Sequence, residues 1–90
     1  MPYRFRRDEL HIERNEAATL VYYVVEDPRT HVQHRFYPIE YEVAQLLDGK
    51  RTTDKVARLI SKKMDLRLEQ VDVDSFAQQL LALGFAEDVE

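Results

Sequence analysis

The sequence predicts an α+β fold in which a three-stranded antiparallel meander precedes three helices, in the order β-β-β-α-α-α. Residues 9–37 contain alternating polar and apolar positions and a run of β-branched and aromatic side chains, both typical of strands. Residues 38–83 instead repeat apolar side chains at three- and four-residue intervals, which is typical of helices packed on a core. The two glycines of the chain, Gly49 and Gly84, stand where helices must stop.

The first two strands differ in how their apolar residues are arranged. Residues 9–13 alternate, so that Leu10 and Ile12 lie on one face of a half-buried strand. We predict a turn over residues 15–18. Residues 20–25 are apolar on both faces, and this predicts the central strand of the sheet.

The third strand follows a turn with a clear chemical signature. In residues 27–30 an aspartate is followed by a proline, which presets φ for the second position of a β-turn. Residues 31–37 then alternate, with Val32, His34 and Phe36 on one face. This segment is predicted to lie at an edge of the sheet.

The three helices are predicted from apolar spacing and from their ends. The first has Pro38 in its first turn, where the missing N–H is not needed, and its apolar residues Ile39, Val43, Leu46 and Leu47 recur at helical spacing up to a stop at Gly49. The second spans about residues 53–64, and the third begins at residue 70 or 72 and ends at 83. Phe85 is expected to fold back after Gly84 as the apolar partner of a Schellman cap. Short helices joined by tight turns predict a winged-helix-like or helix-turn-helix unit beside the sheet.

The size and composition of the chain fit one domain without disulfides. Ninety residues form a single core, and we expect residues 1–7 and 87–90 to be flexible ends of that domain. The chain has no cysteine, no apolar stretch long enough to span a membrane and no signal-peptide core, so we expect a cytoplasmic protein.

Several classes of function have little support in the sequence. The net charge is −4, and the third helix carries Asp72 and Asp74 at its start and no lysine or arginine, which disfavours a DNA-reading helix. His31 and His34 point to opposite faces of the predicted strand and cannot easily share a metal ion. Because no nucleophile elbow or phosphate-binding loop is present either, we expect no catalytic residues, no metal and no cofactor.

The predicted edge strand is the strongest functional candidate. Its outer side would present unpaired N–H and C=O groups, which invite pairing with another chain. One interpretation is a solvated edge protected by its charges. The other is a docking site where a peptide adds a strand and the third helix supplies side-chain contacts. An exposed edge also permits an edge-to-edge dimer in place of a monomer.

The order of these elements resembles the PqqD-like family, also called RiPP recognition elements and including the coenzyme PQQ synthesis protein D members. The resemblance covers residues 8–86. The segments that carry it are Tyr22-Tyr23-Val24-Val25, Asp27-Pro28, Phe36-Tyr37, Leu47-Asp48-Gly49-Lys50-Arg51-Thr52, Val71-Asp72-Val73-Asp74-Ser75-Phe76 and Leu80-Leu81-Ala82-Leu83-Gly84-Phe85.

This resemblance implies a non-catalytic domain that binds the leader segment of a precursor peptide in natural product biosynthesis. The leader would pair with the third strand beside the third helix, for delivery to a modifying or transport enzyme. Residues 18–37 resemble more closely the family members fused to membrane peptidases or secretion proteins, which implies the alternative of a structural or regulatory module without its own ligand. The implied peptide-binding residues are Val32, Gln33, His34, Arg35, Phe36, Tyr37, Val73, Phe76, Gln79 and Leu80.

Overall fold

The computed structural model describes residues 2–89 and shows an α+β protein with three helices and two antiparallel sheets. The strands are β1 (Tyr3–Phe5), β2 (His11–Ala17), β3 (Leu20–Glu26), β4 (Gln33–Phe36) and β5 (Ala86–Asp88), and the helices are α1 (Pro38–Leu46), α2 (Thr53–Met64) and α3 (Gln70–Leu83). A short 3₁₀ turn, Arg7–Glu9, joins β1 to β2. Within residues 2–89, no helix has the length and apolar content needed to cross a membrane.

The larger sheet is the predicted meander, with strand order β2-β3-β4. This confirms β3 as the central strand and β4 as an edge. The predicted turn over residues 15–18 is wrong, because β2 continues to Ala17 and the chain reverses at Ala18, whose φ is +55°. His31 also lies outside the strand, in the left-handed region at φ +62°, so β4 is shorter than predicted.

The two ends of the described chain form a second sheet that the sequence does not predict. Strand β1 pairs antiparallel with β5, and its other side pairs with the segment after α1, through hydrogen bonds from Phe5 N–H to the Leu47 carbonyl and from Gly49 N–H to the Tyr3 carbonyl, each 2.8 Å long. Most of the residues expected to be flexible ends therefore lie in or beside paired strands. The element order is β-β-β-β-α-α-α-β, and the simpler predicted order is corrected in this respect.

The start of α2 and the end of α3 agree closely with the sequence prediction. The Thr52 hydroxyl accepts a hydrogen bond from the Lys55 N–H at 3.2 Å and caps α2. Gly84, at φ +80°, ends α3 in a Schellman motif, in which Phe85 N–H donates to the Leu80 carbonyl and Gly84 N–H to the Leu81 carbonyl. The prediction that Gly49 stops the first helix is wrong, because α1 ends at Leu46 with Leu47 as its C-cap. Gly49 adopts its left-handed φ of +82° in the segment that follows the helix.

The core lies between the inner face of the larger sheet and the three helices. At its centre Phe36 is fully buried, with ring-to-ring distances of 5.6 Å to Phe76, 6.0 Å to Phe5 and 6.3 Å to Phe85. This aromatic cluster joins β4 to α3 and to both ends of the chain. It fixes the edge strand against the third helix.

Candidate functional site

Strand β4 pairs with β3 on one side, and no strand pairs with its other side in the part of the chain that is described. The register pairs Tyr23 with Phe36, Val24 with Arg35, Val25 with His34 and Glu26 with Gln33. Immediately before this ladder, the Asp27 N–H donates to the Val32 carbonyl at 3.0 Å. In an antiparallel pair the hydrogen-bonded positions alternate. His34 and Phe36 therefore direct their N–H and C=O groups toward β3.

The backbone groups of Gln33 and Arg35 consequently point away from the sheet. Within residues 2–89, no loop, helix or side chain hydrogen-bonds to them. The N–H groups on either side are occupied, because Val32 donates to the Thr30 hydroxyl at 3.3 Å and Tyr37 donates to the Glu40 carboxylate at 2.9 Å. The open edge thus offers two donors and two acceptors, with one residue between them.

Helix α3 lies beside this edge and runs antiparallel to β4. The Phe76 ring meets Phe36 edge-on, and one turn further along the Gln79 amide nitrogen lies 3.3 Å from His34 Nε2. Phe76 is half-buried and Gln79 is exposed. These two side chains are the part of α3 that lies against β4 beside its open edge, and we call the surface formed by Phe76, Gln79 and the outer side of β4 the groove.

The predicted site residues fall into two groups in the structure. Val73, Leu80 and Phe36 are buried in the core, with relative exposures of 1%, 0% and 0%. The other seven predicted residues lie at the surface of the edge or groove: Val32, Gln33, His34, Arg35, Tyr37, Phe76 and Gln79. The sequence could not separate the groups on α3, because the apolar spacing is the same for a side chain in the core and one that lines a groove.

A pocket beside Phe76 has a volume of about 170 Å³ and is lined by side chains of α1, α3 and the loop between α2 and α3. Val73 and Phe76 of this lining were predicted from the sequence, and five further residues were missed: Ile39, Glu40, Val43, Leu68 and Asp72. An apolar cavity of about 150 Å³ holds a benzene-sized group. This pocket therefore has room for one large apolar side chain. Phe76 belongs both to the pocket and to the groove wall.

Exposed apolar side chains continue from the edge to the pocket. Val32, Tyr37 and Ile39 are 37%, 41% and 40% exposed, and they lie before β4, after β4 and in the first turn of α1. On the opposite face of the sheet the Arg35 guanidinium lies 4.2 Å from the centre of the Tyr22 ring, a cation–π contact. Val32, Tyr37 and Ile39 thus place exposed apolar side chains at both ends of the unpaired backbone edge.

A buried network positions the start of β4. Asp27 is almost fully buried, and its carboxylate accepts hydrogen bonds from the Arg29 N–H at 2.9 Å and from the Arg6 guanidinium at 3.3 Å. The Arg29 N–H is the largest cause that lowers the pKa of Asp27 below its ordinary value, with Arg6 contributing in the same direction. The Arg6 guanidinium also donates to the Gly84 carbonyl. The turn before β4 is therefore tied to β1 and to the end of α3.

The described residues contain no group of three or more acidic or histidine side chains placed to hold a metal ion. His31 lies 3.3 Å from Glu26 and His34 lies against Gln79, so the structure does not bring the two histidines together.

Comparisons of the chain with protein-family models, curated proteins and solved structures find no match.

Proposed function

We propose that the domain binds an extended peptide, which adds a fourth strand to the larger sheet at β4. The observation that carries this proposal is the outward direction of the Gln33 and Arg35 backbone groups beside a partly apolar groove. Strand addition requires unpaired edge groups for affinity and neighbouring side-chain pockets for selectivity. Both features occur here on adjacent elements.

The groove favours a particular kind of peptide. Successive side chains of an added strand alternate between its two faces. Those on the inner face would meet Phe76 and Gln79, and one near the end of β4 would enter the pocket beside Ile39. The two carboxylates at that pocket already accept backbone hydrogen bonds as helix caps, Glu40 from Tyr37 and Asp72 from Glu69. A leucine, isoleucine or phenylalanine without an adjacent acidic residue suits this site.

The resemblance to PqqD-like domains supports the same proposal at a finer level. The resemblance implies that the three-helix unit is winged-helix-like and that the peptide is a precursor or leader peptide. It also implies that the domain delivers this peptide to a modifying or transport enzyme. The domain would act without chemistry of its own by presenting a bound segment to that enzyme.

Titration of the ¹⁵N-labelled protein with peptides encoded near its gene tests the proposal. We expect selective shifts of the Gln33, Arg35, Phe76 and Gln79 amides. Gln33→Pro should abolish binding, since it removes one outward donor and places the proline ring on the open edge. If no peptide produces shifts at these positions, or if Gln33→Pro binds as tightly as the wild type, the proposal fails.

Matched pairs of variants separate the groove from general surface effects. Gln79→Ala should weaken binding, whereas Gln78→Ala should not, because Gln78 is turned toward the Tyr3 hydroxyl, 3.0 Å away. Ile39→Ala should weaken binding by about tenfold, the equivalent of about 1.4 kcal/mol. Leu59→Ala is its control, because Leu59 is equally exposed, at 38%, but lies on α2.

A further inference from the structure

A second surface of the molecule has a charge opposite to that of the rest of the chain. Residues 50–67 contain seven lysine and arginine residues and two aspartates, a net charge of +5. The remaining residues contain six lysine and arginine and fifteen aspartate and glutamate residues, a net charge of −9. The whole chain is acidic, at −4, so the basic character is concentrated on α2 and the loops that flank it.

The outer face of α2 combines these charges with an apolar centre. Val56 and Ile60 turn into the core, and this leaves Lys55, Leu59 and Lys62 on the opposite face. Between α1 and α2 lies a shallow depression of about 560 Å³, with two leucines surrounded by cations: Leu46, Leu59, Arg51, Lys62 and Lys63. We call this set, with Lys55, the basic α2 surface.

Part of the positive charge on this face has no partner within the molecule. Arg51 pairs with Asp48 at 2.8 Å and Lys63 with Glu42 at 2.8 Å. Lys55 and Lys62 are exposed, and neither has a carboxylate within 4.0 Å among residues 2–89. An incoming carboxylate could pair with either lysine without displacing an existing ion pair.

We propose that the basic α2 surface docks an acidic segment of a protein partner, with one large apolar side chain of that segment seated between Leu46 and Leu59. Charge complementarity requires a negatively charged partner. The two leucines of the depression, Leu46 and Leu59, require that the carboxylates of the partner flank a hydrophobic residue. Aliphatic side chains surrounded by complementary charges are typical of protein interfaces, where the apolar centre contributes affinity and the charged rim orients the partner.

Two features favour a protein partner over a polyanion such as DNA or an anionic membrane. The carboxylates of Asp48, Asp54 and Glu42 lie among the cations and would oppose a continuous row of phosphates. The two leucines would also find no matching contact on a phosphate backbone. In addition, the −9 carried by the rest of the chain repels an extended polyanion more than it repels a short segment, which meets only the basic side.

The two proposed sites have no lining residue in common, and α1 is the element they share. Ile39, near the start of α1, lines the pocket beside β4, whereas Leu46, at its end, belongs to the basic α2 surface. A peptide paired with β4 therefore leaves the basic α2 surface accessible. The domain could hold a peptide with one side and an acidic partner with another.

Selection of random displayed peptides of about 12 residues on the immobilised full chain tests the inference and does not require the partner to be identified first. We expect a class of selected peptides with several Asp or Glu residues around one Leu, Ile, Phe or Met. These should lose about tenfold or more in affinity for Leu59→Ala or Lys62→Glu. Arg14→Glu, which makes the same change in net charge on β2, should leave their affinity unchanged.

The same peptides distinguish failure of this inference from failure of the proposed function. Peptides that are lost with Gln33→Pro but retained with Leu59→Ala belong to the β4 groove, and a selection that yields only these overturns the α2 proposal. A selection without acidic enrichment also overturns it. The α2 proposal is also overturned if the protein binds a 12-base-pair DNA duplex, or vesicles with about one-third anionic lipid, as tightly as it binds the acidic peptides and if that binding depends on Lys62. A selection that yields acidic peptides bound to the α2 surface but no peptides bound to the β4 groove would overturn the proposed function and leave the α2 proposal in place.

Discussion

The direction of the β4 backbone groups can be tested by stability alone, with two proline substitutions at adjacent positions. In Gln33→Pro the lost N–H points away from the sheet, and the proline ring occupies the open side of the strand. In His34→Pro the lost N–H belongs to the ladder with β3, opposite Val25. Both residues are non-glycine strand positions on the same short edge, so they form a matched pair.

The expected difference follows from the hydrogen bonds that each change removes. His34→Pro deletes one ladder bond, worth about 0.5–1.5 kcal/mol, and leaves the carbonyl of Val25 without its partner, at a further cost of about 1–3 kcal/mol. Val25 is fully buried, so water cannot replace the lost donor. The total is about 1.5–4.5 kcal/mol. Gln33→Pro removes no internal bond and should change the free energy of unfolding by about 1 kcal/mol or less.

Urea denaturation and thermal denaturation, each followed by circular dichroism, measure both variants against the wild type. For a domain of this size, about 1 kcal/mol corresponds to about 4–8 °C in the midpoint of thermal unfolding, so the two variants should be clearly separated. If Gln33→Pro destabilises as much as His34→Pro, or more, the assignment of outward-facing amides is wrong. The strand-addition proposal would then lose the observation on which it rests.

Other parts of the structure give predictions of known sign. Phe36→Ala should lower the free energy of unfolding by about 3–5 kcal/mol in urea denaturation, because it empties the centre of the aromatic cluster, and a loss below about 1 kcal/mol would contradict that packing. Gly84→Ala should cost about 1 kcal/mol from its left-handed φ alone, since an added Cβ meets no atom within 4 Å, and Gly84→Asn should cost less. Glu9 has a lowered pKa because of its bonds to Arg4 and Arg6, and Asp27 has a lowered pKa because of the Arg29 N–H. Both carboxylates contribute their full stabilisation at pH values above their pKa in the unfolded chain, and this stabilisation is lost as the pH falls through the lower pKa of the folded protein. The urea concentration at the midpoint should therefore decrease when the pH is lowered below about 4.5, and it should decrease less steeply in Asp27→Asn.

Most of the helical half could be predicted from the sequence because its signals are local. The cap at Thr52 and the stop at Gly84 depend on residues that satisfy nearby backbone groups, and these appear in the structure as expected. The end of β2 could not be predicted in the same way. Asn15 favours turns, but pairing of that segment with β3 outweighs the local preference, and the reversal occurs at Ala18.

The candidate site likewise has one part that could be predicted from the sequence and another that could not. Alternation identified three successive strands, and because the last strand of a meander lies at its edge, the edge position of β4 could be predicted. The pocket beside Ile39 could not, because it forms only where α1, α3 and the loop at Leu68 meet, and no spacing along the chain encodes that meeting. The basic α2 surface lies between these cases, since its charge is visible in the sequence but its apolar floor requires Leu46 and Leu59 to be brought together.

The paired ends of the chain, which no local pattern indicated, position the site through Phe5 in the aromatic cluster and through the side chain of Arg6. Arg6 follows β1 and lies almost buried, bonded to Asp27 at the turn before β4 and to the Gly84 carbonyl at the end of α3. Those two contacts lie at the two elements that form the groove. Pairing of β1 with β5 and with residues 47–49 fixes the backbone that carries Arg6. The spacing between the open edge and α3 is therefore set partly by the ends of the chain. Substitution of Arg6 should alter peptide binding, although Arg6 itself would not contact the peptide.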